Sequence, residues 1–109
     1  MNKETIAAIA TALSESGIGI IRVSGDDAID IVNRIFVSKK KNFQLTDAKS
    51  HTIHYGNIVD GKKVLDEVLV SVMKGPKSYT GEDVVEINCH GGVFIMQKIL
   101  ELVICNGAR

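Results

Sequence analysis

Short apolar runs rich in isoleucine and valine alternate with polar, glycine-containing segments along most of the chain. Each run is shorter than a typical helix, and such runs between turn signals are typical of strands. The clearest turn signal is Asp60-Gly61, which predicts a hairpin, and Gly75-Pro76 interrupts the pattern again. The runs predict five strands: Thr5–Ala10, Gly17–Val23, His51–Val59, Lys63–Met73 and Val84–Cys89.

Two other segments carry apolar residues at helical spacing. Ile29, Val32 and Phe36 form one stripe of a first helix. We expect this helix to begin with Ser24 as its N-cap and to run to about Val37.

A second helix is predicted from Val93 to about Cys105, with Gly107 as the residue that follows its C-cap. Only three side chains of this helix are clearly polar. A helix that is apolar nearly all round is buried on more than one side. Because a domain of this size with one sheet covers only one side of the helix, we expect the other side to need a second subunit or a further domain.

The predicted order of elements is β-β-α-β-β-β-α, which is typical of an α+β domain. We expect a mixed or antiparallel sheet with both helices on one side. The 109 residues correspond to one domain, without a repeat or a linker.

The charge balance excludes some function classes. Lys and Arg total 13, Asp and Glu total 13, and the formal charge is zero, which argues against an autonomous nucleic-acid-binding module. Aromatic residues make up only 5% of the chain and tryptophan is absent, so a base-stacking platform is not expected. Two cysteines without a secretory signal or an apolar run long enough to span a membrane indicate a cytoplasmic protein.

Two segments, one containing glycines and a lysine and the other three lysines, are weak candidates for phosphate binding. Gly56–Lys62 matches the start of a P-loop, but Lys63 stands where the motif needs Ser or Thr, and the match lies across a predicted hairpin. We therefore expect no hydrolysis of nucleotides by this chain. The triple lysine Lys39–Lys41 is either a phosphate-binding patch or, as the favoured interpretation, a solvated loop.

Cys89 and His90 are adjacent and raise the possibility of a nucleophile and its base. Neighbouring residues on a strand point to opposite faces, and Cys89 has the parity of Val85 and Ile87, which favours a buried structural cysteine. The histidines and cysteines show no usual metal-ligand spacing. We expect neither a catalytic residue nor a metal ligand in this chain.

Arg22 and Glu86 are lone charges inside otherwise apolar strands. One interpretation is an ion pair, or side chains that reach the solvated face of the sheet. The other is a cleft in which the carboxylate accepts two hydrogen bonds from an amino-pyrimidinone edge and the guanidinium binds carboxylate or carbonyl oxygens. Gly17 and Gly19 would let a flat ring lie close to the backbone.

Three segments carry a resemblance to a known family: Gly17–Gly25, Ser50–Gly56 and Gly75–Gly92. They resemble the N-terminal domain of the tRNA modification GTPases called MnmE or TrmE, and the resemblance spans essentially the whole chain. It implies that residues 1–109 are a tetrahydrofolate-binding and dimerisation domain. It also implies a fold similar to half of the folate-binding fold of the glycine-cleavage T protein, which a homodimer would recreate.

The resemblance further implies what a full-length member does. A helical domain and a potassium-dependent G domain, which binds GTP and magnesium, would follow. Together with the flavoprotein partner MnmG (GidA), such proteins modify carbon 5 of the wobble uridine in tRNA, with a 5,10-methylene or 5-formyl tetrahydrofolate as the cofactor class. Family folate contacts map onto Arg22 and Glu86, whereas Ala12–Ser16 differs from the family's Pro-Pro-Gly loop. The alternative is a purely structural dimerisation domain without a ligand.

Overall fold

An antiparallel sheet of six strands forms the centre of the computed structural model, which describes residues 4–10, 19–76 and 81–109. The strands are β1 Ile6–Ile9, β2 Gly19–Ser24, β3 Phe36–Ser38, β4 Thr52–Asp60, β5 Lys63–Met73 and β6 Val84–Cys89. Their order across the sheet is β1-β2-β6-β5-β4-β3. Helix α1 spans Ala28–Asn33, helix α2 spans Gly92–Cys105, and a short 3-10 turn covers Leu45–Asp47.

The α+β class is confirmed, and the sheet is antiparallel at each of its five strand pairings. Strands β5 and β6 have the predicted bounds, and β1 and β4 differ from them by one residue at each end. The predicted hairpin is present, because Asp60 pairs with Lys63 across a two-residue loop in which Gly61 has a φ of 60°. Within the described residues, no helix is both long enough and apolar enough to cross a bilayer.

The prediction for the end of the first helix is wrong. Helix α1 ends at Asn33, and Phe36–Ser38 form the extra strand β3, paired with β4. Phe36 fits a helical stripe and a strand equally well, and the partner strand decides between them. Gly56 of β4 makes the close pairing possible, because a Cβ there would lie 2.7 Å from the Phe36 ring.

The predicted N-cap is also wrong. Ser24 is the last residue of β2, paired with Val84, and Asp27 occupies the N-cap position of α1. Thr5, just before β1, stabilises this helix start instead, since its buried Oγ1 accepts a hydrogen bond from the Asp27 N–H at 3.1 Å. The acceptor for the N–H of the N-cap residue therefore comes from a residue 22 positions earlier in the chain.

One face of the sheet carries the core and both helices. We call it the covered face; its strand residues include Ile21, Val23, Val70, Val72, Val85 and Ile87, each fully buried. Helix α1 contributes Ile31 and Val32, and helix α2 contributes Met96, Ile99 and Val103. Because side chains alternate along a strand, the residues between these positions project from the opposite side, which we call the open face.

Helix α2 contacts the core with one side only among the described residues. Phe94 and Ile104 remain 69% and 44% exposed on it. The expectation that this helix needs a second partner stays a prediction. The prediction that Gly107 follows the C-cap of this helix is confirmed, because Gly107 has a φ of 122° and donates its N–H to the carbonyl oxygen of Ile104.

Candidate functional site

The two lone charges of the apolar strands meet on the open face. Arg22 on β2 and Glu86 on β6 lie directly opposite each other in the antiparallel register. The Arg22 Nε donates a hydrogen bond to Oε2 of Glu86 at 2.8 Å, and the Arg22 Nη2 lies 2.7 Å from the same oxygen. The ion-pair interpretation is therefore confirmed, as is the position on the solvent side of the sheet.

The two partners are exposed to different degrees. The Arg22 side chain is 42% exposed, whereas the Glu86 side chain is only 12% exposed. Both contacts converge on one carboxylate oxygen, and among the described residues no partner is recorded for Oε1 of Glu86. A carboxylate has about four acceptor positions, so the Arg22 contacts leave acceptor capacity for a further donor.

Polar side chains surround the pair on neighbouring strands. Ser71 of β5 lies directly opposite Glu86, and Asn88 lies two residues further along β6. The Asn88 Nδ2 donates to the carbonyl oxygen of Leu69 at 3.2 Å. Together with Arg22, Glu86 and Ser24, these residues form what we call the polar strip across β2, β6 and β5.

Exposed apolar side chains flank the polar strip on both sides. Ile6 of β1 is 54% exposed on one flank. The other flank is formed by four residues of β3, β4 and β5: Val37, Ile53, Tyr55 and Leu69. Exposed apolar side chains close to polar groups are typical of an interaction or ligand site.

Cys89 is a buried structural residue, as predicted. It is 1% exposed on the covered face, and burial, followed by the nearby Asp66 carboxylate, raises the pKa of its thiol to about 12. His90 is exposed. The backbone N–H groups of His90 and Gly91 donate to Oδ2 of Asp66 at 2.7 and 3.0 Å. Asp66, which the sequence reasoning did not single out, thus holds the turn before α2.

The other motifs are separated from the polar strip. The P-loop-like segment lies along β4 and its hairpin, as predicted, and so lacks the strand-to-helix geometry of a phosphate loop. In the described part of the chain, no three His, Cys, Asp or Glu side chains form a cluster suited to a metal ion.

A shallow cavity between the β4–β5 hairpin and α2 encloses about 130 Å³ and is lined by Lys63, Val64 and Phe94, among others. It is small beside the roughly 300–1,000 Å³ of typical ligand pockets, and it contains neither predicted binding residue. Gly19 is buried in β2 opposite Cys89. Gly17 and the Ala12–Ser16 loop lie outside the described residues.

Comparison of the amino-acid sequence with known proteins identifies the family. Residues 5–109 match the family model described as the GTP-binding protein TrmE N-terminus. The chain belongs to the TrmE N-terminal family. Its match runs from the residue before β1 to Arg109, four residues after the end of α2, so Arg22 and Glu86 both lie inside the family's domain.

Relatives of the TrmE family domain are similar over the whole chain. A protein of Lachnoclostridium phytofermentans is 51% identical over 109 residues, which is 100% of this chain and 24% of the relative. Proteins of Thermoanaerobacter pseudethanolicus and Carboxydothermus hydrogenoformans are 57% and 56% identical, over 97% and 100% of this chain. All three are named tRNA modification GTPase MnmE, and the chain spans about a quarter of their length.

Proposed function

We propose that this chain binds a reduced folate on the open face of its sheet and forms a homodimer, as one domain of a tRNA-modifying GTPase. The observation that carries the proposal is the Arg22–Glu86 pair, a charged pair on the open face, where packing of the core does not require it. Membership of the TrmE family, and the names of the relatives, support the part of the proposal that makes this chain one domain of a tRNA-modifying GTPase.

The residues of the polar strip fit the pterin part of a folate. An amino-pyrimidinone edge presents two parallel N–H donors, and Glu86 offers a carboxylate with one oxygen engaged by Arg22. We propose that this edge replaces one of the two Arg22 contacts on Oε2 of Glu86, so that both carboxylate oxygens accept from it. Arg22 would then orient the carboxylate through its remaining contact or bind a carbonyl or carboxylate oxygen of the ligand. When bound, a one-carbon tetrahydrofolate such as the 5-formyl or 5,10-methylene form would supply the carbon unit.

The exposed apolar side chains support self-association. Five large ones lie on the open face and two on α2, and all are at least 40% exposed. A second copy would remove apolar surface from water, which is worth roughly 25 cal/mol per Å² buried. Pairing two such domains would produce a fold like that of the glycine-cleavage T protein, with the folate near the contact between the copies.

For the whole protein we propose the activity that the relatives' names state, modification of tRNA coupled to a GTPase. The modified position would be carbon 5 of the wobble uridine, and the partner would be the flavoprotein MnmG (GidA). GTP, magnesium and potassium would bind in a G domain outside these residues, because the P-loop-like segment here lacks the required geometry.

Calorimetric titration of 5-formyltetrahydrofolate into the protein tests the folate proposal. We expect saturable binding that weakens at least tenfold in Glu86→Gln, because the amide has only one acceptor oxygen. The matched control is Glu101→Gln, the same change at an exposed position of α2, which should bind like the unaltered protein. Equal affinity of the Glu86 and Glu101 variants would contradict the role of Glu86.

A purely structural dimerisation domain is the second candidate. The observation in its favour is that Arg22 and Glu86 already bind each other, so the pair needs no ligand to be stable. This candidate predicts no heat of binding at millimolar folate, together with a dimer in light scattering. The folate-binding proposal predicts heat and a dimer.

A further inference from the structure

The charges of the chain are unevenly distributed, although they sum to zero. Residues 38–56 contain four of the 13 Lys and Arg side chains and only one of the 13 Asp and Glu side chains, together with two of the three histidines. The rest of the chain therefore carries a net negative charge of three. The overall neutrality hides a local cationic surface.

Three of these cations follow one another in the chain at the β3 edge of the sheet. Lys39, Lys40 and Lys41 directly follow β3, the outermost strand, and all three are exposed. The Lys39 N–H donates to the carbonyl oxygen of Tyr55, and the Phe43 N–H donates to that of Lys40, so the backbone of the segment is held in place. We call Lys39–Lys41 the lysine edge.

Aromatic rings lie beneath two of the ammonium groups. The Nζ of Lys39 is 5.7 Å from the centre of the Tyr55 ring, and the Nζ of Lys40 is 5.6 Å from the centre of the Phe43 ring. Phe43 in turn stacks on His54, with ring centres 4.7 Å apart. Such contacts restrain both cations. His54 and Tyr55 are successive residues of β4 and point to opposite faces of the sheet, so Lys39 and Lys40 lie on either side of its β3 edge.

The acidic groups near the lysine edge are few. Glu67 lies 3.9 Å from the Lys39 Nζ and also accepts a hydrogen bond from Tyr55, and its own side chain is 56% exposed. At this distance and exposure an ion pair is weak. Burial, and then the charge of Lys40, lower the pKa of His54, which leaves that stacked ring neutral near pH 7.

We propose that the lysine edge binds the phosphodiester backbone of the tRNA. The inference rests on the proposed function, which supplies an RNA substrate. Lysines act as point charges for phosphates and carry no sequence information, so the contact would position the RNA without reading it.

The test measures binding of a fluorescent tRNA transcript by anisotropy at several salt concentrations, with the natural full-length polypeptide that carries this chain. We expect Lys39→Gln/Lys40→Gln/Lys41→Gln to weaken binding at least tenfold near 100 mM salt. We also expect the slope of log K against log salt to fall by about 2 to 3, at roughly 0.7–0.9 per lost phosphate contact. Lys41→Gln alone should lower the slope by about 1 at most.

The matched control is Lys62→Gln/Lys63→Gln/Lys98→Gln, which removes the same charge at the hairpin end of the sheet. This variant should retain tRNA affinity within about twofold, because phosphate contacts act within a Debye length of about 10 Å. Equal losses in both triple variants, no loss in the lysine-edge variant, or no tRNA binding by the unaltered protein would each overturn the proposal. Binding to phosphatidylserine vesicles in place of tRNA would also overturn it.

Folate titration of the same variants separates this proposal from the proposed function. The lysine-edge variant should bind 5-formyltetrahydrofolate like the unaltered protein, because the polar strip lies on other strands. Intact folate binding with unchanged tRNA binding rejects the lysine edge alone. Loss of folate binding in Glu86→Gln leaves the lysine edge unaffected.

Discussion

The two faces of the same sheet differ in what their side chains do. On the covered face, Val70, Val85 and Ile87 are fully buried beneath two helices. On the open face, their neighbours Leu69, Glu86 and Asn88 lie toward solvent, and Glu86 pairs with Arg22. Alternate residues of one strand thus serve the core and the surface.

The need for a stable fold explains the side chains of the covered face but not those of the open face. Valine and isoleucine on the covered face stabilise the fold by burial. The Arg22–Glu86 pair on the open face contributes little to folding, since ion pairs with a solvent-exposed partner are worth about 0–1 kcal/mol. The open face is therefore the expected binding surface, and the two faces should respond differently to mutation.

The largest contrast should come from truncating one side chain on each face. Ile87→Ala leaves a cavity in the core and should lower the free energy of unfolding by about 3–4 kcal/mol. Leu69→Ala, one strand away on the open face, should cost less than about 1 kcal/mol, since Leu69 is 40% exposed. Urea denaturation measures both, and equal losses would contradict the division into two faces.

The next effect is a pH dependence that belongs to the covered face. The pKa of Cys89 is about 12 in the folded protein and 9.0 in a model thiol, so the unfolded chain releases this proton first. The buried thiol therefore does not reduce the free energy of unfolding below about pH 9. Above pH 9 the free energy of unfolding falls by up to about 1.4 kcal/mol per pH unit. Denaturation of the protein and of Cys89→Ala between pH 8 and 10.5 should show a steeper decline with the thiol present.

A third effect concerns the junction between β1 and helix α1. Thr5→Val keeps the shape of the side chain but leaves the Asp27 N–H without its acceptor, which should cost about 1–2 kcal/mol. Thr46→Val, at an exposed position of the 3-10 turn, is the control and should be within about 0.5 kcal/mol of the unaltered protein. Equal stability of the two variants would contradict the capping role.

The smallest effect on stability should follow loss of the open-face ion pair. The double variant Arg22→Gln/Glu86→Gln should change the free energy of unfolding by less than about 1 kcal/mol, because Arg22 is 42% exposed. Thermal denaturation checks this. A loss of about 3 kcal/mol or more, typical of disrupted buried pairs, would favour the purely structural role.

The strands and the hairpin could be predicted because their signals are local. Asp60-Gly61 and the alternation in β5 and β6 lie within a few residues of the structure they produce. Strand β3 could not be predicted in this way, since Phe36 becomes a strand residue by pairing with Ile58, 22 positions later. The capping of α1 by Thr5 depends on a similarly distant contact.

The candidate site was predictable to the level of strand parity. Arg22 and Glu86 are single charged residues in otherwise apolar strands, which indicated that they lie outside the core. The antiparallel register brings them together. The apolar flanks of Ile6 and Ile53 could not be inferred, because they depend on the order of strands across the sheet. The lysine edge was predicted only as a solvated loop, since its aromatic partner Tyr55 lies on another strand.

The most direct test of folate binding on the open face is an amide-resolved NMR titration with 5-formyltetrahydrofolate. We predict that the largest shifts occur at Arg22, Ser71 and Glu86, with little change at Met96 and Val103 beneath the covered face. Shifts confined to the cavity beside Phe94, or none at millimolar ligand with the spectrum of a folded protein, would contradict that claim.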